Sequence, residues 1–192
     1  MAVPEQATRR LGARERILAA ATALFTEHGI RAVSADRILA EAGVAKVTFY
    51  RHFPTKDDLV VAYLQAELAA AKEIVARTTE LPRVWRSQAF ALAIGEQMCA
   101  PGFRGCPFIN AAAEYPDPAH PVRAVVTRFR AWLTGEIAVE LSMLGVEDAG
   151  ARAAEIMMVR DGAMVAGYLS GDPDGVTAAL QRAIAAIVGR EG

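Results

Sequence analysis

The sequence predicts an all-α protein, and three features predict it. Apolar residues recur at helical spacing along most of the chain. Alanine is frequent, and no alternation of β-branched residues runs for more than a few positions. Glycines and prolines fall between the periodic stretches rather than inside them. With 192 residues, 53% of them hydrophobic and 22% charged, the chain can bury a substantial core as one domain or as a small domain joined to a larger one.

The segment "ARERILAAATALFTEHG" places Ile17, Leu18, Ala21, Leu24 and Phe25 on one face, and Gly29 is positioned as its C-cap. Ser34 is the expected N-cap of a short second helix ending at Ala42, and Gly43 turns the chain into a third from about Ala45 to Phe53. Pro54 closes that helix. "TKDDL" reads as a capping box, with Thr55 as cap and Asp58 at the third helical position, for a long helix reaching about Thr79. Pro82 opens a fifth helix to about Ala100, "APGFRGCP" interrupts, and a short helix covers about Phe108 to Glu114. After "YPDPAHP", helices are expected at about Val122–Leu144, Asp148–Leu169 and Asp172–Val188, separated by Gly145 and "SGDPDG".

Charge divides the chain unevenly. Residues 1–56 carry nine Lys/Arg against five Asp/Glu, a net +4, while the remainder has twelve against seventeen, a net −5. A polyanionic partner is therefore expected for the N-terminal part alone, and Arg9, Arg10, Arg14 and Arg16 add to its positive field. No stretch free of Asp, Glu, Lys and Arg exceeds ten residues, short of the roughly 20 that a membrane span needs. The start "MAVPEQATRR" lacks the apolar segment of a secretion signal, so the expected location is cytoplasmic, with no membrane partner. Two cysteines and three scattered histidines make neither a disulfide framework nor a zinc site, and no cofactor is expected.

On the third helix, Ala45, Phe49 and Phe53 fall on one side, the expected core side. Val47, Thr48, Tyr50 and Arg51 fall opposite, flanked by Lys46 and His52. Cations, hydroxyls and a lone valine suit phosphate oxygens, base edges and a thymine methyl. A short helix, a glycine turn and a helix so decorated form helix-turn-helix organisation over about 34–53. The run "SADRILAEAGVAKVTFYRHFPTKDDL" resembles the DNA-binding region of the TetR family of bacterial transcriptional regulators, through Ile38, Ala42-Gly43-Val44, Thr48-Phe49-Tyr50, His52-Phe53, Lys56 and Leu59.

The resemblance implies a DNA-binding domain at 1–56 that holds double-stranded operator DNA as a homodimer, and a helical domain at 57–192 that dimerises and takes a small-molecule effector. It also implies that Thr48, Tyr50, His52 and Lys56 contact phosphates. Lys46, Val47 and Arg51 are the candidates for base reading. Ala45 departs from the serine that often opens the recognition helix in the family, and Leu39 replaces a commonly smaller residue.

In the C-terminal part, Trp85, Met98, Phe108, Asn110, Tyr115, Phe129, Trp132, Met164 and Tyr168 are candidates for an effector cavity, alongside Phe90, Phe103 and Met157; ordinary core is the competing role. "GCPFINAAAEY" resembles a segment near the effector pocket in a subset of the family, which singles out Asn110 and Tyr115. For a dimer interface, Val176, Leu180, Ala183, Ile184 and Ile187 form an apolar stripe, while Gly162, Ala163, Ala166 and Gly167 allow close helix approach; packing within one chain would use the same stripe. Cys106 in "FRGCP", with Arg104 two residues away, is the candidate for a redox- or electrophile-sensing thiol. An enzyme using Cys106 as nucleophile and His120 as base lacks an orienting carboxylate at any recognisable spacing, so no enzymatic activity is expected.

Overall fold

A computed structural model describes residues 12–189, apart from the side chains of Val84 and Trp85. Its elements are α1 (Ala13–His28), α2 (Ala35–Ala42), α3 (Lys46–His52), α4 (Lys56–Thr79), α5 (Arg83–Met98), α6 (Pro107–Glu114), α7 (Pro121–Met143), α8 (Ala149–Ser170) and α9 (Pro173–Val188). Among the described residues there is no strand, and none of these helices is long and apolar enough to cross a membrane. The all-α expectation holds.

The first three helices close over Ile17, Leu24, Phe25, Val33, Ile38, Phe49 and Phe53, all buried. Ser34 caps α2 by accepting from the Arg37 amide at 3.2 Å. Gly43, at φ 59°, supplies the left-handed residue from which the chain turns into α3. Thr55 and Asp58 complete the reciprocal capping box at the start of α4: the Asp58 amide donates to Thr55 Oγ1 at 3.1 Å, and the Thr55 amide to Asp58 Oδ2 at 2.9 Å. The first half of α4 then packs on α1 through Leu59, Val60, Tyr63 and Leu64, with Tyr63 edge-on to Phe25 at 5.4 Å.

Helices α5 to α9 build the larger C-terminal body around α4. Two close approaches fix α5 in place. A Cβ at Gly167 of α8 would overlap Sδ of Met98, and a Cβ at Gly95 would run into the Thr177 side chain of α9. Phe108 and Phe129 stack at 3.8 Å, joining α6 to α7.

Two expectations fail here. Ala45 is exposed and is not core, because it is the N-cap of α3 with extended backbone, one residue before the helical face begins. Leu180 and Ile184, expected at a dimer interface, are each only 3% exposed and belong to the core of this single chain. Ala163 and Gly167 are buried with them. The stripe on α9 is consumed by α5 and α8, since three helices leave it no open side. Val176 and Ile187 are half-buried against the same core.

Candidate functional site

The outer face of α3 is a plain consequence of its periodicity. With Phe49 buried, Lys46, Val47, Tyr50 and Arg51 point outward, Val47 at 80% exposure, and Thr48 and His52 are half-buried at the flanks. Tyr50 is held edge-on to Phe49 at 5.2 Å. Ala45 offers no side-chain cap to α3. Val47 thus stands exposed among the cations of this face. Arg14, expected to add general attraction, lies over the Phe53 ring at 5.2 Å; Arg9 and Arg10 lie outside the described residues.

Lys56 does not project with this face. Its Nζ donates to the carbonyl of Ile30 at 2.6 Å and sits 5.9 Å from the Phe25 ring centre. Burial lowers its pKa, against the opposing pull of Glu114 and Asp57. It belongs to a joint between the N-terminal helices and the C-terminal body. Glu114, at the end of α6, accepts from the backbone amides of Ile30 at 3.2 Å and Arg31 at 2.6 Å, while the Arg31 guanidinium donates to the Glu114 carbonyl at 2.7 Å. Gly29, at φ 84°, takes the left-handed backbone that brings the Ile30 and Arg31 amides to Glu114 and that favours glycine. Arg104 donates to the Glu27 carbonyl at 3.0 Å. Tyr115 donates to Asp57 at 2.8 Å, and His120 Nε2 lies 3.3 Å from the same carboxylate. Burial and then Asp57 push the Tyr115 hydroxyl pKa up.

Beside the joint is a cavity of about 510 Å3, walled by the end of α1, by α4, α5, the 100–106 loop, α6 and α8. Of the residues expected at an effector site, Asn110, Met164 and Tyr168 line it, as does Phe103. Asn110 is oriented by donating to the Arg104 carbonyl at 2.9 Å. The others are not brought there. Phe108 and Phe129 spend their faces on each other. Met98 is core beneath Gly167. Trp132 lies 6.2 Å from Phe129 and donates to Glu136. Tyr115 is in the joint, and the Trp85 side chain is outside the described ones.

Sequence reasoning missed Phe25, Tyr63, Gln97 and above all Glu67, which also line the cavity. The signal for Glu67 was present: it continues the buried Leu59–Tyr63 face of α4 one more step of four, where an acid is out of pattern.

Cys106 and His120 are not brought together. His120 caps α7 and faces Asp57, whereas Cys106 Sγ accepts from Arg160 Nη1 at 3.3 Å. Arg104, expected beside that thiol, is turned to Glu27. Arg160 is buried, lies 5.5 Å from the Phe129 ring centre and also donates to Asp161 at 2.9 Å. Burial works against its charge, but Cys106 and Asp161 outweigh it and raise its pKa. Among the described residues, no group of three or more His, Cys, Asp or Glu side chains is placed to hold a metal ion.

Comparison with known proteins follows the same division. The family model described as bacterial regulatory proteins, tetR family, matches residues 17–63, which span α1 to the first half of α4. An HTH-type transcriptional regulator from Staphylococcus aureus is 42% identical over 55 residues, covering 29% of this chain and 30% of that relative. The chain thus matches less than a third of that relative's length. The crystal structure of a TetR-family transcriptional regulator from Streptomyces coelicolor superposes with a TM-score of 0.87 at 40% identity, covering 92% of this chain and 94% of that one. A TetR regulator from Legionella pneumophila, 22% identical, shares the fold with a TM-score of 0.79 over 90% and 97% of the two chains. With an outward-facing α3 on a helix-turn-helix and a 40% identical relative along nearly its whole length, the chain belongs to the tetR family of DNA-binding transcriptional regulators.

Proposed function

We propose that the protein is a ligand-responsive regulator, acting as a repressor, that binds a palindromic operator as a homodimer and is released when a small molecule enters the 510 Å3 cavity. In this reading the helices up to residue 56 form the DNA-binding unit, with Lys46, Val47 and Arg51 reading bases and Thr48, Tyr50 and His52 on phosphates. One observation carries the coupling: Glu114 lines the cavity and also holds the Ile30 and Arg31 amides of the N-terminal unit. A ligand that displaces α6 moves the attachment of that unit directly, and α4 transmits the same shift as a lever. The two units of a dimer must lie about 34–36 Å apart to enter successive major grooves, so a small rotation selects against operator binding. The effect is bounded by the ligand's differential affinity for the two arrangements. Reciprocity tests it. An effector found by thermal shift should bind more weakly in the presence of operator, by the same factor by which it weakens operator binding; equal affinities with and without operator would refute ligand control.

For the dimer, the open face of α8 replaces the buried stripe. Met158 and Leu169 are 66% and 74% exposed, and Val165 lies between them with Gly162 in open space. Met158→Glu with Leu169→Glu should give helical monomers with weakened operator binding by analytical ultracentrifugation and anisotropy. Leu180→Glu should instead unfold the chain, because it buries a charge in the core. Lys46→Ala or Arg51→Ala should relax preference at one base step by about 1–3 kcal/mol if the contact is bidentate; unchanged preference at every operator position would remove them from base reading.

The Arg160 contact favours a second reading. A guanidinium on the sulfur of Cys106, at the cavity wall, suits a thiol that responds to oxidants or electrophiles. Mild oxidation should then release operator reversibly from the wild type and leave Cys106→Ser bound.

A further inference from the structure

We infer that the cavity selects a lipophilic cation, an aromatic or aliphatic amine held at Glu67. The inference rests on the reading of this cavity as the effector site and names the class of molecule that enters it.

Three charged side chains stand on the cavity wall: Arg104, Glu114 and Glu67. Two are already engaged. Arg104 donates to the Glu27 carbonyl, and the Glu114 carboxylate accepts two backbone amides. Glu67 differs. Among the described residues no cation lies within ion-pair distance of it and no donor is hydrogen-bonded to it, though it is half-buried in the middle of α4. Burial raises its pKa, which is the mark of a carboxyl whose charge the surroundings fail to compensate. Tyr63, one turn before it and buried, has its own pKa raised by burial and then by Glu67.

The rest of the wall has the complementary chemistry. Phe25, Tyr63, Phe103 and Tyr168 present rings, and Met164 a polarisable thioether. A cation enclosed by ring faces gains attraction from their quadrupoles, and pairing with a desolvated carboxylate removes the cost of leaving that charge alone. An anion gains neither and is repelled by Glu67, while Arg104, the one cation on the wall, is exposed to solvent that screens it. A neutral ligand fills the volume but leaves Glu67 uncompensated. The volume lies within the range of ordinary small-molecule sites.

The experiment uses three fluorescent probes of matched shape: 2-naphthylmethylamine as its ammonium, 2-naphthylmethanol and 2-naphthoate, each titrated into the full-length protein at pH 7. The ammonium should bind about tenfold or more tighter than the alcohol, and the naphthoate weakest. Glu67→Gln, isosteric and uncharged, should bring the ammonium down to the affinity of the alcohol while leaving the alcohol unchanged. Equal binding of amine and alcohol by the wild type overturns the inference without any variant; so does tighter binding of naphthoate, or failure of all three. A preference that persists in Glu67→Gln places the cation elsewhere and overturns it too. The same titrations followed by operator anisotropy separate the two readings. A probe that binds with the expected charge preference and leaves operator affinity unchanged keeps the cation site and refutes its role as effector site. A neutral or anionic probe that releases operator does the reverse.

Discussion

The first turn of α4 and its middle treat charge in opposite ways. At the first turn every ionisable group is engaged: Lys56 with the Ile30 carbonyl, Asp57 with Tyr115 and His120, Asp58 with Thr55. Three turns on, Glu67 faces a cavity with no partner among the described residues. One helix thus carries a stiff end and an unsatisfied middle. The difference separates the two tasks that a switch needs. The joint must have one geometry, so that a displacement of α6 is transmitted and not absorbed, whereas the cavity must keep interaction energy in reserve until a ligand arrives.

The comparison breaks most severely by undermining the stiff end from below. Leu59, fully buried under the joint, should cost about 2–5 kcal/mol on Leu59→Ala, seen as a large fall in urea midpoint with an unchanged slope. Next in size, Glu114→Ala leaves the Ile30 and Arg31 amides without their acceptor and should cost about 1–3 kcal/mol. Its sharper signature is functional: a molecule that releases operator from the wild type should still bind the variant yet release operator less. If release is undiminished, coupling does not run through α6. Tyr115→Phe removes one hydrogen bond to Asp57 and should cost about 1 kcal/mol, read as a small fall in Tm.

The smallest effect has the opposite sign. Because folding raises the pKa of Glu67, its contribution to stability is full below the unfolded-state value near 4.5 and is lost as pH rises through the folded-state value. Tyr63, whose pKa Glu67 helps to raise, stays protonated across this range in both proteins, so the difference between them reports Glu67. The ligand-free Glu67→Gln protein should therefore match the wild type near pH 4 and exceed it near pH 7, read as a small rise in Tm. A variant less stable than wild type at pH 7 would mean that Glu67 has a partner in solution and that the middle of α4 is not unsatisfied.

How far the sequence reached depends on the range of the forces involved. The caps at Ser34 and Thr55, the turn at Gly43 and the outward set on α3 are decided within a few residues, and they were legible. The stripe Leu180–Ile184 was legible as apolar, but periodicity names a buried face without naming what covers it, and α5 and α8 of the same chain cover it. Lys56 was assigned to a phosphate and Arg104 to the Cys106 thiol because their actual acceptors, the carbonyls of Ile30 and Glu27, are distant in sequence and lie in backbone that any residue could supply. Arg160 reaches Cys106 across 54 positions. Glu67 was overlooked for a different reason: its place on the Leu59–Tyr63 face marked it as out of pattern, but periodicity does not say what such an acid faces.

The contacts at Gly167 and Gly95 also constrain how this chain can change over generations. A side chain at position 167 needs the space that Met98 fills, and one at 95 needs the space of Thr177. Neither glycine can be replaced alone without displacing the Met98 or Thr177 side chain, so each pair should tend to vary together among relatives that keep this layout. An alignment deep enough to test covariation should link 98 with 167 and 95 with 177, while the exposed positions of α8 drift independently of either pair.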